Sequence, residues 1–129
     1  MFYAAADAGE PSNERATEVL GTGEPLLTTD HVLVETWFLL RRRLGATAAR
    51  SFWDALRQGA AILEPVLRAD LDIAWEIGED FSDQDFSLVD RTSFAVMSRL
   101  GITRAATFDD DFAIYRFGPD RGRAFEVVR

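Results

Sequence analysis

An α/β domain with a mainly parallel sheet is the fold class this sequence predicts, and three observations carry it. Apolar residues recur at helical spacing in several long segments, short strand-like runs separate those segments, and turn residues punctuate most junctions. The chain has 129 residues, 47% of them hydrophobic. That is material for one core, so a single domain over residues 1–129 is expected.

Residues 1–7 and 13–21 read as helices, parted by Gly9, Glu10, Pro11 and Ser12. Residues 25–28 form a short strand. Thr29 and Asp30 are candidate N-caps for a helix over 31–44, where Leu33, Trp37, Leu40 and Leu44 share a face and Gly45 stops the run. The next helix covers 47–58 with Ala49, Phe52, Trp53 and Leu56 inward. Gly59 then opens a strand through Ile62 and Leu63 that ends at Pro65. Helical spacing returns over 69–78 through Leu71, Ala74, Trp75 and Ile77, followed by an acidic loop over 79–85 and a long helix over 87–100. Residues 105–107 and 124–128 complete the strands.

Composition narrows the function. No stretch reaches the roughly 18 apolar residues of a membrane span, and the start carries no positive charge ahead of its apolar residues, so neither membrane association nor a signal peptide is expected. The absence of cysteine excludes disulfides and thiolate metal sites and fits a cytoplasmic location. A net charge of −8 argues against non-specific binding of nucleic acid over a broad basic surface. All 14 basic residues are arginine, a bias that reads first as the mark of a high-GC genome and second as a gain in planar recognition of phosphate.

Several carboxylates stand in unusual surroundings. Glu35 lies within Val32 to Leu40, apolar on nearly every side, so partial burial is expected; it is either paired with Arg41, Arg42 or Arg43, set on the solvent stripe of its helix, or a metal ligand. In Ser87-Leu88-Val89-Asp90 the aspartate fits a helix capping box. Asp109, Asp110 and Asp111 follow a strand and read equally as a solvated loop. Singly these residues have structural explanations, but an α/β sheet can gather a helix interior, a helix start and a strand end at one crevice. Converging carboxylates need a hard divalent cation or raised pKa values, and oxygen-only ligands select Mg²⁺ or Mn²⁺. Such a centre can activate water against a phosphodiester.

Three segments carry a family resemblance: Thr28-Thr29-Asp30-His31-Val32-Leu33-Val34-Glu35-Thr36-Trp37, Phe86-Ser87-Leu88-Val89-Asp90-Arg91-Thr92-Ser93-Phe94-Ala95-Val96-Met97, and Ala106-Thr107-Phe108-Asp109-Asp110-Asp111-Phe112. In this order and spacing the chain resembles the PIN-domain ribonucleases, specifically the VapC toxins of toxin–antitoxin pairs. The resemblance implies a PIN-like fold and an Mg²⁺- or Mn²⁺-dependent endoribonuclease acting on transfer or ribosomal RNA. It implies catalytic acids at Glu35, Asp90 and Asp109, Asp111 as a further metal ligand, and Thr107 and Ser93 near the metal. A VapB-like antitoxin and a homodimer are the implied partners.

The pattern departs from the family at its start. Members open with a hydrophobic strand ending in Asp-Thr-Ser, and Phe2 to Asp7 resemble the residues just after that strand. The first catalytic aspartate is therefore expected upstream of Met1, and the chain is expected to begin at an internal start codon. That leaves two interior sheet edges and predicts a destabilised or weakly active chain. Asp7 is expected in an exposed turn, and Asn13, where relatives often carry histidine, reads as surface variation.

Two rivals remain. A phosphoacceptor receiver domain relies on a lysine, which this chain lacks. A non-catalytic PIN-like module would bind antitoxin or RNA without cutting. His31 reads as exposed or capping, and Trp37, Trp53 and Trp75 as core or dimer interface rather than base-stacking platforms. Arg41, Arg42, Arg43, Arg121 and Arg123 are candidate contacts to RNA phosphate or antitoxin.

Overall fold

The structure is a computed structural model that describes residues 1–129. It divides into two compact units, Met1–Pro65 with Arg129, and Val66–Val128.

The first unit runs α1 (Phe2–Ala6), α2 (Asn13–Leu20), β1 (Leu27–Thr29), α3 (Asp30–Arg43), α4 (Ala46–Arg57) and β2 (Ile62–Glu64). Strands β1 and β2 pair in parallel, with Leu27 opposite Ile62 and Thr29 opposite Glu64. Thr29 ends the strand and caps the helix: its hydroxyl accepts the Val32 N–H at 3.1 Å, so Asp30 becomes the first helical residue. Leu33, Leu56 and Ala61 form the core, with Leu26 and Phe52 packed on it, and the Phe2 ring reaches Phe52 at 5.5 Å.

Three expectations for this unit need correction. Asn13 is more than surface variation, because its side-chain amide donates to Ala4 O at 2.8 Å and Ala5 O at 3.1 Å and satisfies carbonyls at the end of α1. Asp7 is half-buried rather than exposed. The Tyr3 hydroxyl, at 2.7 Å, and the Gly9 N–H, at 2.9 Å, hold its carboxyl below the usual range. Trp53 is 49% exposed and lies outside the core.

The second unit runs α5 (Arg68–Asp80), α6 (Leu88–Leu100), β3 (Arg104–Ala106), α7 (Asp111–Ile114) and β4 (Glu126–Val128). Strands β3 and β4 pair in parallel from Arg104 opposite Glu126 to Ala106 opposite Val128. All strand pairing is therefore parallel, as expected, but it forms two ribbons of two strands each, and every strand has one hydrogen-bonded neighbour.

The core of this unit is aromatic: Ile77, Phe86, Phe94, Met97, Ala105, Tyr115 and Phe125 are buried together. Phe94 and Tyr115 stack with centroids 4.3 Å apart and an interplanar angle of 2°, and Phe112 meets Phe94 edge-on at 4.8 Å. Helix α5 runs through Gly78 instead of stopping there. A side chain at that position would collide with the Arg91 guanidinium, whose Nε donates to Phe86 O at 2.9 Å. Trp75 is 71% exposed, so it too is absent from the core.

One ion pair anchors α5 to α6. Asp70, almost fully buried, accepts the Leu67 N–H at 2.8 Å and two bonds from Arg99 at 3.0 Å. Burial alone pushes this carboxyl up, but Arg99 and the Leu67 N–H outweigh it and leave the pKa below the ordinary value. Arg99→Met would strand a buried charge. A loss of ~3 kcal/mol is expected in urea unfolding at neutral pH, and wild-type stability there would show that the pair contributes nothing.

Candidate metal centre and family

The acidic site grows from two local devices in the second unit. At the start of α6 the Ser87 hydroxyl accepts the Asp90 N–H at 3.0 Å and fixes the first turn. The role of Asp90 as a cap partner is thus half the account: its backbone is capped, while its carboxyl faces other acids. After β3, the Thr107 hydroxyl accepts the Asp109 N–H at 3.0 Å, and Asp109 Oδ1 accepts the Asp111 N–H at 2.9 Å. These two bonds fold the acidic run into a turn that opens α7.

The result brings Asp90, Asp109 and Asp111 together, with one carboxylate oxygen from each lying within 4.8 Å of the others. Asp109 is exposed and the other two are half-buried. Burial and the neighbouring Asp109 push Asp90 up to about 7, Asp111 adding to the effect and the Ser87 hydroxyl opposing it. Burial and the charges of Asp109, Asp85 and Asp110 also raise Asp111. Three oxygen donors crowded until one keeps its proton near neutrality are a donor set that fits a hard divalent cation.

This crowding sets the sign of a pH dependence. Between roughly pH 4 and pH 7 the metal-free fold holds a proton on Asp90 that the unfolded chain has released, so this group's stabilisation falls as pH rises through that window. The midpoint of thermal unfolding in EDTA should decline between about pH 5 and pH 7.5 in the wild type and decline less in Asp90→Asn. Parallel curves would refute the coupling.

The other candidate residues are dispersed. Thr107 is half-buried and shapes the Asp109 turn, and Ser93 is buried one turn beyond Asp90 on α6. Glu35, in the first unit, is exposed on α3 rather than partly buried. The packed stripe of that helix is Leu33, Thr36 and Leu40, which leaves Val34 and Phe38 outside together with Glu35. Arg41 and Arg42 are exposed, and Arg43 lies over the Tyr3 ring at 5.4 Å. Arg121 is already engaged: it donates to Asp80 at 2.6 Å and to the Tyr115 hydroxyl at 3.0 Å, and lies over the Phe81 ring. Arg123 lies over Phe117. Sequence reasoning missed the Asp70–Arg99 anchor and the contribution of Asp85 to the field at Asp111. Only the general acidity of residues 79–85 hinted at the latter.

A helix-start acid facing a strand-end acidic turn, on an α/β frame with parallel strands, defines the class: this chain belongs to the PIN-domain family, whose pattern it matches over residues 1–118. Within that family it is of the VapC type. It is 39% identical over 119 residues to the 23S rRNA-specific endonuclease VapC20 of Mycobacterium tuberculosis, strains CDC 1551 and H37Rv, with 90% of each chain covered. The crystal structure of Mycobacterium tuberculosis VapC20, described as a sarcin-ricin loop cleaving toxin, superposes with a TM-score of 0.82 at 36% identity over 88% of each chain.

Proposed function

We propose that this chain is a single PIN domain acting as the toxin of a toxin–antitoxin pair: a divalent-metal-dependent endoribonuclease that cuts 23S ribosomal RNA. The observation that carries the reading is the cluster of Asp90, Asp109 and Asp111, with Asp90 held near pKa 7 by burial and its acidic neighbours. The relationship to a 23S rRNA-specific endonuclease supplies the substrate class.

In this reading Asp90, Asp109 and Asp111 hold Mg²⁺ or Mn²⁺, and Glu35, at the place of the family's helix glutamate, is a further catalytic acid. When bound, the cation supplies an activated water and neutralises charge growing on the phosphoryl oxygens. The chain's own residues prepare the site. Ser87 and Thr107 fix the two turns that present the acids, and Asp90 gives up its proton on loading. Ser93, buried one turn beyond Asp90 on α6, is proposed to lie near the metal. A VapB-like antitoxin and a second copy of the chain are the proposed protein partners. No helix is long and apolar enough to cross a membrane, and a cytoplasmic location is proposed.

The test is incubation of the purified chain with a 23S rRNA fragment. Site-specific cleavage in Mn²⁺, absent in EDTA and restored by excess metal, is the expected result. RNA left intact at every metal concentration, with the chain folded, would favour a binding module without catalysis.

A further inference from the structure

The charge of this acidic chain is unevenly placed. Residues 36–63 hold five arginines, at 41, 42, 43, 50 and 57, and one acid, Asp54, a net +4; nine arginines against 21 acids elsewhere leave −12. That basic stretch is the end of α3 and the whole of α4, helices packed on one another within the first unit.

On α4, Arg50, Trp53, Asp54 and Arg57 fall at the i, i+3, i+4, i+7 spacing of one face and line an open concavity of about 310 Å³. Trp53 is half exposed, against the expectation that it faces inward on its helix. Asp54 is occupied by Arg57, at 3.0 Å, and by the Gln58 amide, at 2.8 Å. That pair takes one guanidinium nitrogen of Arg57, whose side chain stays 68% exposed and keeps further donors for a ligand. The Arg50 side chain is exposed.

An aromatic face between two guanidinium groups combines the two elements that hold unpaired nucleotides: stacking for a base and cations for the flanking phosphates. We propose that this face of α4 is an RNA-docking platform, in which Trp53 stacks on an unpaired base and Arg50 and Arg57 hold the adjacent phosphates, with Arg41 and Arg42 extending the attraction. The proposal rests on the endoribonuclease reading for its substrate class and adds residues that bind RNA without taking part in hydrolysis. It accounts for how a chain of net charge −8 attracts a polyanion.

The test measures binding of the full chain to a fluorescent RNA stem-loop in EDTA, and cleavage of the same RNA in Mn²⁺. Trp53→Ala is expected to weaken binding about 5- to 100-fold while Trp53→Phe stays within about threefold of wild type. Arg50→Gln/Arg57→Gln is expected to weaken binding at least about tenfold and to make the log Kd against log salt slope shallower by about 1.4. In cleavage, KM should rise with kcat unchanged. Affinity and slope equal to wild type in both sets, with circular dichroism unchanged, would overturn the platform, as would a wild type that does not bind RNA. Loss of self-association with RNA affinity intact would also overturn it and assign the face to a second copy. If wild type binds RNA, the variants lose binding, and Mn²⁺ gives no cleavage, the platform stands and the endonuclease reading falls.

Discussion

Asp90→Asn should reduce RNA cleavage about 100-fold or more without unfolding the protein. The substitution keeps the shape of the side chain and leaves the backbone N–H that Ser87 caps, while it removes a charge from a three-carboxylate donor set. Loss of one anionic ligand weakens cation affinity and, with it, every step that needs the cation's charge. The same change relieves the repulsion that lifts Asp90 to about 7, so the metal-free variant should melt no lower than wild type at pH 8. Activity falling while stability holds or rises is the pattern of a site built at the expense of the fold. Cleavage rates in saturating Mn²⁺ and melting curves in EDTA together decide it. Full activity in Asp90→Asn would remove this residue from the mechanism.

The second large effect is on folding. Phe94→Ala is expected to cost about 4 kcal/mol, read as a lowered urea midpoint. Phe94 is fully buried, stacks on Tyr115 and meets Phe86 edge-on at 5.3 Å. The rings around it are held by one another, so the cavity left by alanine cannot close cheaply. Phe94→Leu, which fills most of the space, should recover more than half of the loss. A cost below about 1 kcal/mol for alanine would mean that the core repacks freely.

Much of the frame was legible because it is written in local chemistry. The spacing that predicts each long helix depends on residues within two turns of one another, and Thr29 and Ser87 cap where the sequence places their helices. Short strands were legible because Gly59 and Pro65 bracket β2. What local chemistry could not supply was the partner across the fold. Arg121 reads as a free cation until Asp80, 41 residues away, is seen to hold it. Asp90 reads as a cap residue until Asp109 and Asp111 are brought beside its carboxyl. Glu35, Trp53 and Trp75 mislead for a common reason. An apolar neighbourhood in sequence predicts burial only if the helix face is covered, and the faces that carry these residues are open. The family pattern, rather than spacing, distinguished Asp109 as a site residue from the solvated loop it also resembles.

The stack of Phe94 on Tyr115 has a consequence for how the acidic centre behaves over time. Phe94 lies one turn beyond Asp90 on α6, and two of its ring partners, Phe112 and Tyr115, belong to the segment that begins at Asp111. The rings therefore clamp together the two pieces of backbone that carry the carboxylates. A cation drawing those carboxylates together would tighten the same clamp, and carboxylate repulsion in its absence would loosen it. Amide hydrogen exchange across α6 and α7 should accordingly slow when Mn²⁺ is added, and slow in concert rather than residue by residue, because the centre and the core open as one unit.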